Sequence, residues 1–434
     1  MVCGPRRSAR RVIARRSSLR IMTRDVATRT EELARVAYGR LLSILAARDN
    51  DIEFAEDCLS DAFAAALRTW PTAGLPDNPE AWLLAVARNR QRDVQRSSAH
   101  QREERYRDAL HGAAQVVEQE YSADAIPDHR LALLFVCAHP AIDPAVRTPL
   151  MLQTVLGLDA ERIASAFAIP PATMAQRLVR AKRRIRDTRI PFVIPERHEM
   201  AGRLPPVLEA IYGAYAIDFA VVGGIEPRES LVAESLYLAR TLAALLPAEP
   251  EVLGLAALLS LSIARSEARA REDTFVPLAA QDTACWNAEL IADGERYLHR
   301  AHGIGRVGRF QLEAAIQSVH CARAVSGVTD WHALCALYVE LVAIAPTLGA
   351  LVAHAAAVGH VEGARTGLSL LDRITNEAVL RFQPAWATRA HLLVAAGDAE
   401  AAAAAFARAI SLTTDPRARR YLETQRLLCA DQTH

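Results

Sequence analysis

The stretch AERIASAFAIPPATMAQRLVRAKRRIRDTR, residues Ala160–Arg189, is the most informative part of this chain. Apolar residues recur at helical spacing on both sides of a Pro-Pro pair, which predicts two short helices joined by a tight turn. Ala164, in the first helix, is small enough for the two helices to cross closely. The apolar residues of the second helix fall in one stripe, which consists of Met174, Leu178, Ala181 and Ile185. The segment therefore predicts two crossed helices, the second with an apolar seat.

The opposite face of the second helix carries a hydroxyl, an amide and four guanidinium groups. Its residues are Thr173, Gln176, Arg177, Arg180, Arg183 and Arg184. A helix that presents such groups can enter the major groove of DNA, where they read base edges and hold phosphates. The alternative is a solvated basic face on an ordinary helix, since most runs of charge have no further role. The turn, the small residue and the cationic face together favour a DNA-reading helix-turn-helix.

The composition indicates a helix-rich, all-α protein with several domains. The chain has 434 residues, of which 51% are hydrophobic, with only 20 glycines and 21 prolines. Because the net charge is only +1, binding to nucleic acid would depend on local basic patches. No apolar run approaches the roughly 18 residues that a membrane span needs. Seven cysteines without paired spacing argue against a disulfide framework and predict a cytoplasmic protein.

The first 27 residues read as a basic, disordered tail. Its first twenty residues contain seven arginines and no acid. Three interpretations stay open: an arm that contacts DNA, a targeting peptide, and translated sequence upstream of a true start at Met22 instead of Met1. The absence of an apolar core excludes a secretory signal.

Residues 28–98 are predicted to form a first block of three helices. The second helix, Ile52 to Trp70, is expected to bury Leu59, Phe63 and Leu67. Its exposed face is acidic and includes Glu53, Glu56, Asp57 and Asp61. Such a face suits a basic partner, although ordinary surface charge on a three-helix bundle explains it equally well.

A loop with three prolines, residues 71–79, precedes a third helix that is predicted to begin at Glu80. Trp82 is expected to point inward from this helix. The outward residues are Arg88, Asn89, Arg92 and Arg96. A rigid loop before aromatic, amide and guanidinium groups suits the capture of an unstacked base.

Together the two blocks resemble the extracytoplasmic-function (ECF) sigma factors of bacterial RNA polymerase. The resemblance is carried by AEDCLSDAF (Ala55–Phe63), PDNPEAWLLAVARNRQRDVQR (Pro76–Arg96) and the segment from Ala160. Two further stretches, LALLFVCAHPAIDPAVRTPLMLQTVLGL and IPPATMAQRLVRAKRRIR, are similar to a subgroup with a long tetratricopeptide-like C-terminal extension. The resemblance implies partners: core RNA polymerase and promoter DNA, both double-stranded and melted.

The resemblance also implies a role for individual residues. The positions where the family docks on polymerase are Glu56, Asp57, Leu59, Asp61 and Phe63. The positions that open and read the −10 element are Asp77, Asn78, Trp82, Arg88, Asn89, Arg92 and Arg96. The recognition helix for the −35 element corresponds to Thr173, Gln176, Arg177 and Arg180, with Arg183 and Arg184 on the same face.

The remaining segments complete the predicted domain organisation. Residues 99–128 are polar and charge-mixed, which predicts a flexible linker to a second block at 129–190. An extension follows, with a bridging part at 191–290 and repeat-like helices at 291–434. Two of its stretches are similar at an offset of about 38 residues, one around Gly359 and one around Gly397, which indicates tetratricopeptide-like helix pairs. A plain helical bundle is a close alternative.

The sequence offers little support for an enzyme. It has no Gly-rich phosphate loop and no nucleophile motif, and the Cys137 and His139 pair is expected to be core, so we expect no metal and no cofactor. We expect instead a sigma factor whose extension regulates its activity through a protein partner. The alternative is a one-component helix-turn-helix regulator with a tetratricopeptide-like sensor domain, which would not need the acidic helix or the helix from Trp82 to Arg96.

Overall fold

The computed structural model describes residues 37–106, 129–167, 169–190, 192, 195, 197–219, 231–271 and 274–431. These residues are almost all helical, which confirms the predicted all-α class. None of the described helices is long and apolar enough to cross a membrane. The basic tail at 1–27 lies outside the described residues, and so does the predicted linker beyond residue 106.

The chain divides into two compact units, the first ending at Ala214 and the second beginning at Tyr215. The helices of the first unit are α1 (37–49), α2 (Ile52–Ala73), α3 (Pro79–Tyr106), α4 (His129–Cys137), α5 (Pro144–Thr154), α6 (Ala160–Ala166), α7 (Pro171–Asp187) and the first part of α8 (Arg197–Phe219). This compact unit continues past residue 190, because Leu204, Val207 and Ile211 of α8 belong to it and are buried.

The second unit holds the remaining helices. They are α9 (Leu231–Leu245), α10 (Pro250–Ile263), α11 (Ala288–Gly303), α12 (Arg309–Ser326), α13 (Trp331–Ile344), α14 (Leu348–Val361), α15 (Ala364–Asp372), α16 (Gln383–Ala395), α17 (Ala399–Leu412) and α18 (Pro416–Asp431). An antiparallel hairpin of β1 (Ala270–Arg271) and β2 (Thr274–Phe275) follows α10 and was not predicted. Strands of two residues are too short to leave a periodic signal in the sequence.

Local capping residues determine where α2 begins and ends. Asp51 accepts a hydrogen bond from the Phe54 amide at 3.1 Å, which satisfies a free donor of the first turn. The helix continues through Pro71 and ends at Gly74, whose φ of 85° favours glycine. The predicted proline-rich loop is therefore shorter than expected. Its first residues extend the helix because the buried Trp70 anchors that turn, with the Gly74 amide donating to the Trp70 carbonyl at 2.9 Å.

The α6–α7 pair packs through the apolar residues that the sequence predicted. Asp159 caps α6 by accepting from the Arg162 amide at 2.8 Å. Ala164 is buried at the crossing, as expected for a close approach of two helices. The four residues predicted as the apolar stripe of α7 are all buried: Met174, Leu178, Ala181 and Ile185.

The helix pairs of the second unit repeat at a different offset from the predicted one. The first helices of two pairs begin at Leu348 and Gln383, and the second helices begin at Ala364 and Ala399, so both offsets are 35 residues. The turn of the earlier pair lies at Gly363, where φ is 101°, and not near Gly359. Gly359 lies inside α14, where a Cβ on the facing Gly367 would come within 2.9 Å of its Cα. It is a helix-crossing residue and was wrongly aligned with the turn at Gly397.

The core of the second unit is a series of clusters along the chain. One cluster joins Leu312 of α12 to Ala350 of α14, and the next joins Val352 of α14 to Leu392 of α16. A third is built around Phe406 of α17. Helices that pack mainly on their sequence neighbours are typical of repeat architectures.

Candidate functional site

The polar face of α7 is open to solvent. Gln176, Arg180, Arg183 and Arg184 are exposed, and Thr173 and Arg177 are partly buried. All six predicted residues therefore lie outside the buried stripe of the helix. A row of guanidinium and amide groups on a firmly seated helix can donate hydrogen bonds to base edges and phosphates.

A cationic cleft of about 710 Å³ runs beside this face. Arg177, Arg180 and Arg184 line it on one side, and the turn at 140–146 lines it on the other. Arg147 holds that turn, because its guanidinium donates to the carbonyls of Ile142 at 2.9 Å and Pro140 at 3.2 Å. Sequence reasoning did not find the cleft, since nothing local pairs residue 140 with residue 180.

The acidic face of α2 is only partly available to a partner. Asp57 is exposed, and Asp61 is exposed and paired with Arg90 at 3.0 Å. Glu56 is largely covered: the Lys182 ammonium donates to both of its carboxylate oxygens at 2.7 Å. Burial raises the pKa of the Glu56 carboxyl, and the charge of Lys182 partly offsets that shift.

Leu59 was predicted to be buried from periodicity and to contact polymerase from the resemblance, and the structure supports burial; Leu67 was predicted to be buried and is exposed. Leu59, predicted from the resemblance to contact polymerase, is fully buried, so we assign it to the core instead of to a binding surface. Leu67, predicted to be buried, is 50% exposed. The core stripe passes through Ala66 and Trp70, which places Leu67 one residue off it and on the side of Glu56. Phe63 is partly buried.

The loop before α3 places its predicted residues close together. The Asn78 side chain caps α3 by accepting from the Ala81 amide at 3.0 Å, and Asp77 next to it is exposed. Trp82 is partly buried and meets Trp70 edge to face, with ring centroids 5.3 Å apart. The capping role of Asn78 uses its oxygen and leaves the amide nitrogen for other contacts.

Further along α3, the predicted polar residues face solvent. Arg88, Asn89 and Arg92 are exposed, and Arg92 donates to the Asn89 side chain at 2.7 Å. The side chain of Arg96 lies outside the described residues. Gln91, on the opposite side, is buried and donates to the Leu45 carbonyl at 3.2 Å, which ties α3 to α1.

Cys137 is a core residue. It is fully buried, its sulfur lies 3.6 Å from the Thr154 hydroxyl, and burial raises the pKa of the thiol to about 12. The Nδ1 atom of His139 accepts from the Ala141 amide at 3.1 Å. Within the described ranges, no three His, Cys, Asp or Glu side chains are placed to hold a metal ion.

Two protein families match parts of this chain. The Sigma-70 region 2 family matches residues 33–101, and a family of unknown function, DUF6596, matches residues 203–302. An uncharacterised protein of Rhizobium meliloti (strain 1021) is 33% identical over 397 residues, which cover 90% of this chain and 92% of that protein. No solved structure matches.

A second relative carries a functional name. The probable ECF RNA polymerase sigma factor SigI of Mycobacterium tuberculosis, in strains CDC 1551 / Oshkosh and H37Rv, is 30% identical over 198 residues. The matched part covers 42% of this chain and 64% of that protein.

The all-α fold and the Sigma-70 region 2 match together define a sigma factor, a transcription initiation factor and not an enzyme. More narrowly, this chain belongs to the ECF-like sigma factors with a C-terminal extension, as the resemblance predicted.

Proposed function

We propose that this sigma factor binds core RNA polymerase through α2, reads the −35 element with α7 and opens the −10 element at the loop before α3. The observation that carries the proposal is the exposed cationic face of α7 above a fully buried apolar seat. A one-component regulator is disfavoured, because the Sigma-70 region 2 match covers the helices that such a regulator would not need. In this proposal the first block, 28–98, is a sigma region 2-like domain, and the second block, 129–190, is a sigma region 4-like helix-turn-helix domain that the start of α8 continues.

Polymerase docking is assigned to the exposed residues of α2. Asp57 and Asp61 supply charge, and Phe63 and Leu67 supply apolar area on another side of the same helix. Partly apolar, acidic surfaces fit a basic partner helix, since apolar contacts give affinity and charges give the rate and register of docking. Reversal of the two aspartates tests this assignment and has a large expected effect.

Promoter opening is assigned to Asn78 and Trp82. Changing Asn78 to Ser keeps an oxygen that can cap α3 but removes the amide nitrogen, so the fold is preserved while a base contact is lost. We expect Asn78→Ser and Trp82→Ala to slow open-complex formation about tenfold while initial promoter binding changes little. The measurement is transcription from duplex templates and from templates that are already melted at the −10 element.

Thermal unfolding controls for the loss of the Trp70–Trp82 contact, and Trp82→Phe serves as the matched variant that keeps an aromatic ring there. Pre-melted templates should restore the activity of the Asn78 and Trp82 variants. Equal defects on both kinds of template would contradict a role in melting.

The extension is proposed to regulate the sigma function by holding the DNA-binding blocks in one arrangement until a protein partner binds. More than half of the 434 residues follow Arg189, whereas promoter recognition is assigned to the residues before it. Regulation of this kind requires a partner with different affinities for two arrangements. Helix pairs that repeat every 35 residues offer an extended surface for such a partner.

Truncation tests the role of the extension. The chain should be cut after Ala214 and not after Arg189, because α8 up to that point contributes buried residues to the first unit. If the extension inhibits, promoter-specific transcription by the truncated protein with core polymerase rises about fivefold or more, as for typical coupling free energies. Lower transcription would indicate that the extension supplies a needed contact, and unchanged transcription would make it an independent module.

A further inference from the structure

An ion pair joins α2 directly to α7, although 126 residues of chain separate its two partners. The Lys182 and Glu56 side chains are only 9% and 20% exposed. Lys182 is the only lysine in the sequence, and all the other basic side chains are arginines or histidines. Neighbouring contacts reinforce it, because Arg186 reaches Glu53 at 3.2 Å and Asp51 at 4.0 Å. We name the Lys182–Glu56 and Arg186–Glu53 pairs the α2–α7 latch.

Close backbone packing accompanies the latch. A Cβ atom on Gly39 of α1 would lie 1.8 Å from the carbonyl oxygen of Val155, just after α5. Only a residue without a side chain allows this approach, so the α1–α2 block lies directly against the α5–α7 block. Close by, the Phe192 amide donates to the Asn50 side chain at 3.4 Å.

The latch occupies one of the positions that the resemblance gives to polymerase docking. Glu56 is one of the predicted docking acids, yet its carboxylate accepts two hydrogen bonds from Lys182 and is largely buried. Glu53, one turn earlier on α2, is held by Arg186. A partner that docks along this helix and contacts Glu56, as the resemblance implies, has to replace α7 at the Glu53–Glu56 edge. Separating a buried ion pair is unfavourable unless another partner takes over the exposed charges.

The promoter contacts proposed above give a second reason for α7 to leave α2. The −35 and −10 elements are about 25 base pairs apart, or about 85 Å of duplex at 3.4 Å per base pair. At 1.5 Å per residue, Trp70 lies about 21 Å along α2 from Glu56, and Thr173 lies about 14 Å along α7 from Lys182. With the latch closed and Trp82 against Trp70, Thr173 and Trp82 lie within about 60 Å of each other, side chains included. The closed arrangement cannot engage both elements at once.

We propose that the α2–α7 latch is autoinhibitory: with Lys182 on Glu56, α7 covers the docking edge of α2, and binding to core polymerase requires α7 to leave it. The proposal rests on the docking role given to α2 above. It goes beyond that role, since it identifies a competing occupant of the docking edge within the chain itself.

The single lysine makes the latch directly measurable in the full-length protein. Acetylation by a water-soluble N-hydroxysuccinimide ester, followed by mass spectrometry, reports the accessibility of Lys182 without competing lysines. We expect Lys182 to react at least about tenfold more slowly in the free protein than in the same protein unfolded in urea. Saturating core polymerase should raise its reactivity toward the unfolded value.

Two variants open the latch without altering Glu56, Asp57 or Asp61. Gly39→Ala adds a methyl group against the Val155 carbonyl, and Arg186→Glu places a negative charge beside Glu53. Gly202→Ala, where nothing lies within 4 Å of an added Cβ, and Arg162→Glu, on the exposed side of α6, are the matched controls. Both opening variants should raise Lys182 acetylation and affinity for core polymerase by about tenfold, and both controls should behave as wild type.

Two results would overturn the proposal. Fast acetylation of Lys182 in the free wild-type protein would show that the latch is open in solution. Faster acetylation in the opening variants with unchanged polymerase affinity would show that the latch does not compete with docking. A failure of the docking assignment is distinguishable, because it appears as normal polymerase binding by the Asp57 and Asp61 reversal and leaves the acetylation of Lys182 unaffected.

Discussion

Reversal of Asp57 and Asp61 to arginine is expected to abolish detectable binding to core RNA polymerase. Both side chains are exposed, so the change places two like charges opposite a basic partner surface and weakens binding by about 100-fold or more. Among the described residues, the reversal removes only the exposed Asp61–Arg90 pair, and such pairs stabilise a fold by about 0.2–1 kcal/mol. Co-elution with core polymerase measures the effect, and far-ultraviolet circular dichroism checks the helical fold.

A control of equal charge change comes from the second unit. Glu267 and Glu289 are both exposed, and their reversal to arginine should leave co-elution at the wild-type level. Persistent co-elution of the Asp57 and Asp61 variant would remove α2 as the docking helix. Loss of binding by the control variant as well would indicate a general effect of net charge.

Substitution of Arg180 by alanine is expected to give the largest loss in promoter recognition. Arg180 is exposed near the middle of the α7 face and is suited to a bidentate contact with a guanine edge, which contributes about 1–3 kcal/mol of discrimination. Arg177 is partly buried beside the turn at 140–146, which suits a fixed phosphate contact. Arg177→Ala should therefore weaken binding to all sequences and reduce the salt slope by about one.

Binding of −35 duplexes at several salt concentrations separates the two roles. Arg180→Ala should lose preference at one base pair, and Arg177→Ala should keep the wild-type preference at lower affinity. Arg300→Ala, an exposed arginine of α11, is the control and should change neither quantity. If both α7 variants bind as wild type does, the DNA-reading face lies elsewhere.

Local patterns predicted much of the site because they act over one or two helical turns. The stripe of Met174, Leu178, Ala181 and Ile185 was correctly expected to be buried, since residues three and four apart share a helix face. The same logic failed for Leu67 at the edge of the α2 stripe. Periodicity defines the centre of an apolar face, whereas packing against other helices decides how far the buried zone extends.

The sequence by itself determined the helices, the Pro-Pro turn, the cationic face of α7 and the resemblance to ECF sigma factors. Only the tertiary structure decided that Lys182 covers Glu56, that Gly359 crosses Gly367, and that the first unit extends into α8. The physical reason is chain separation. Helix formation and capping depend on neighbours within a few residues, whereas a contact across 126 residues depends on which surfaces remain to be buried once the helices exist.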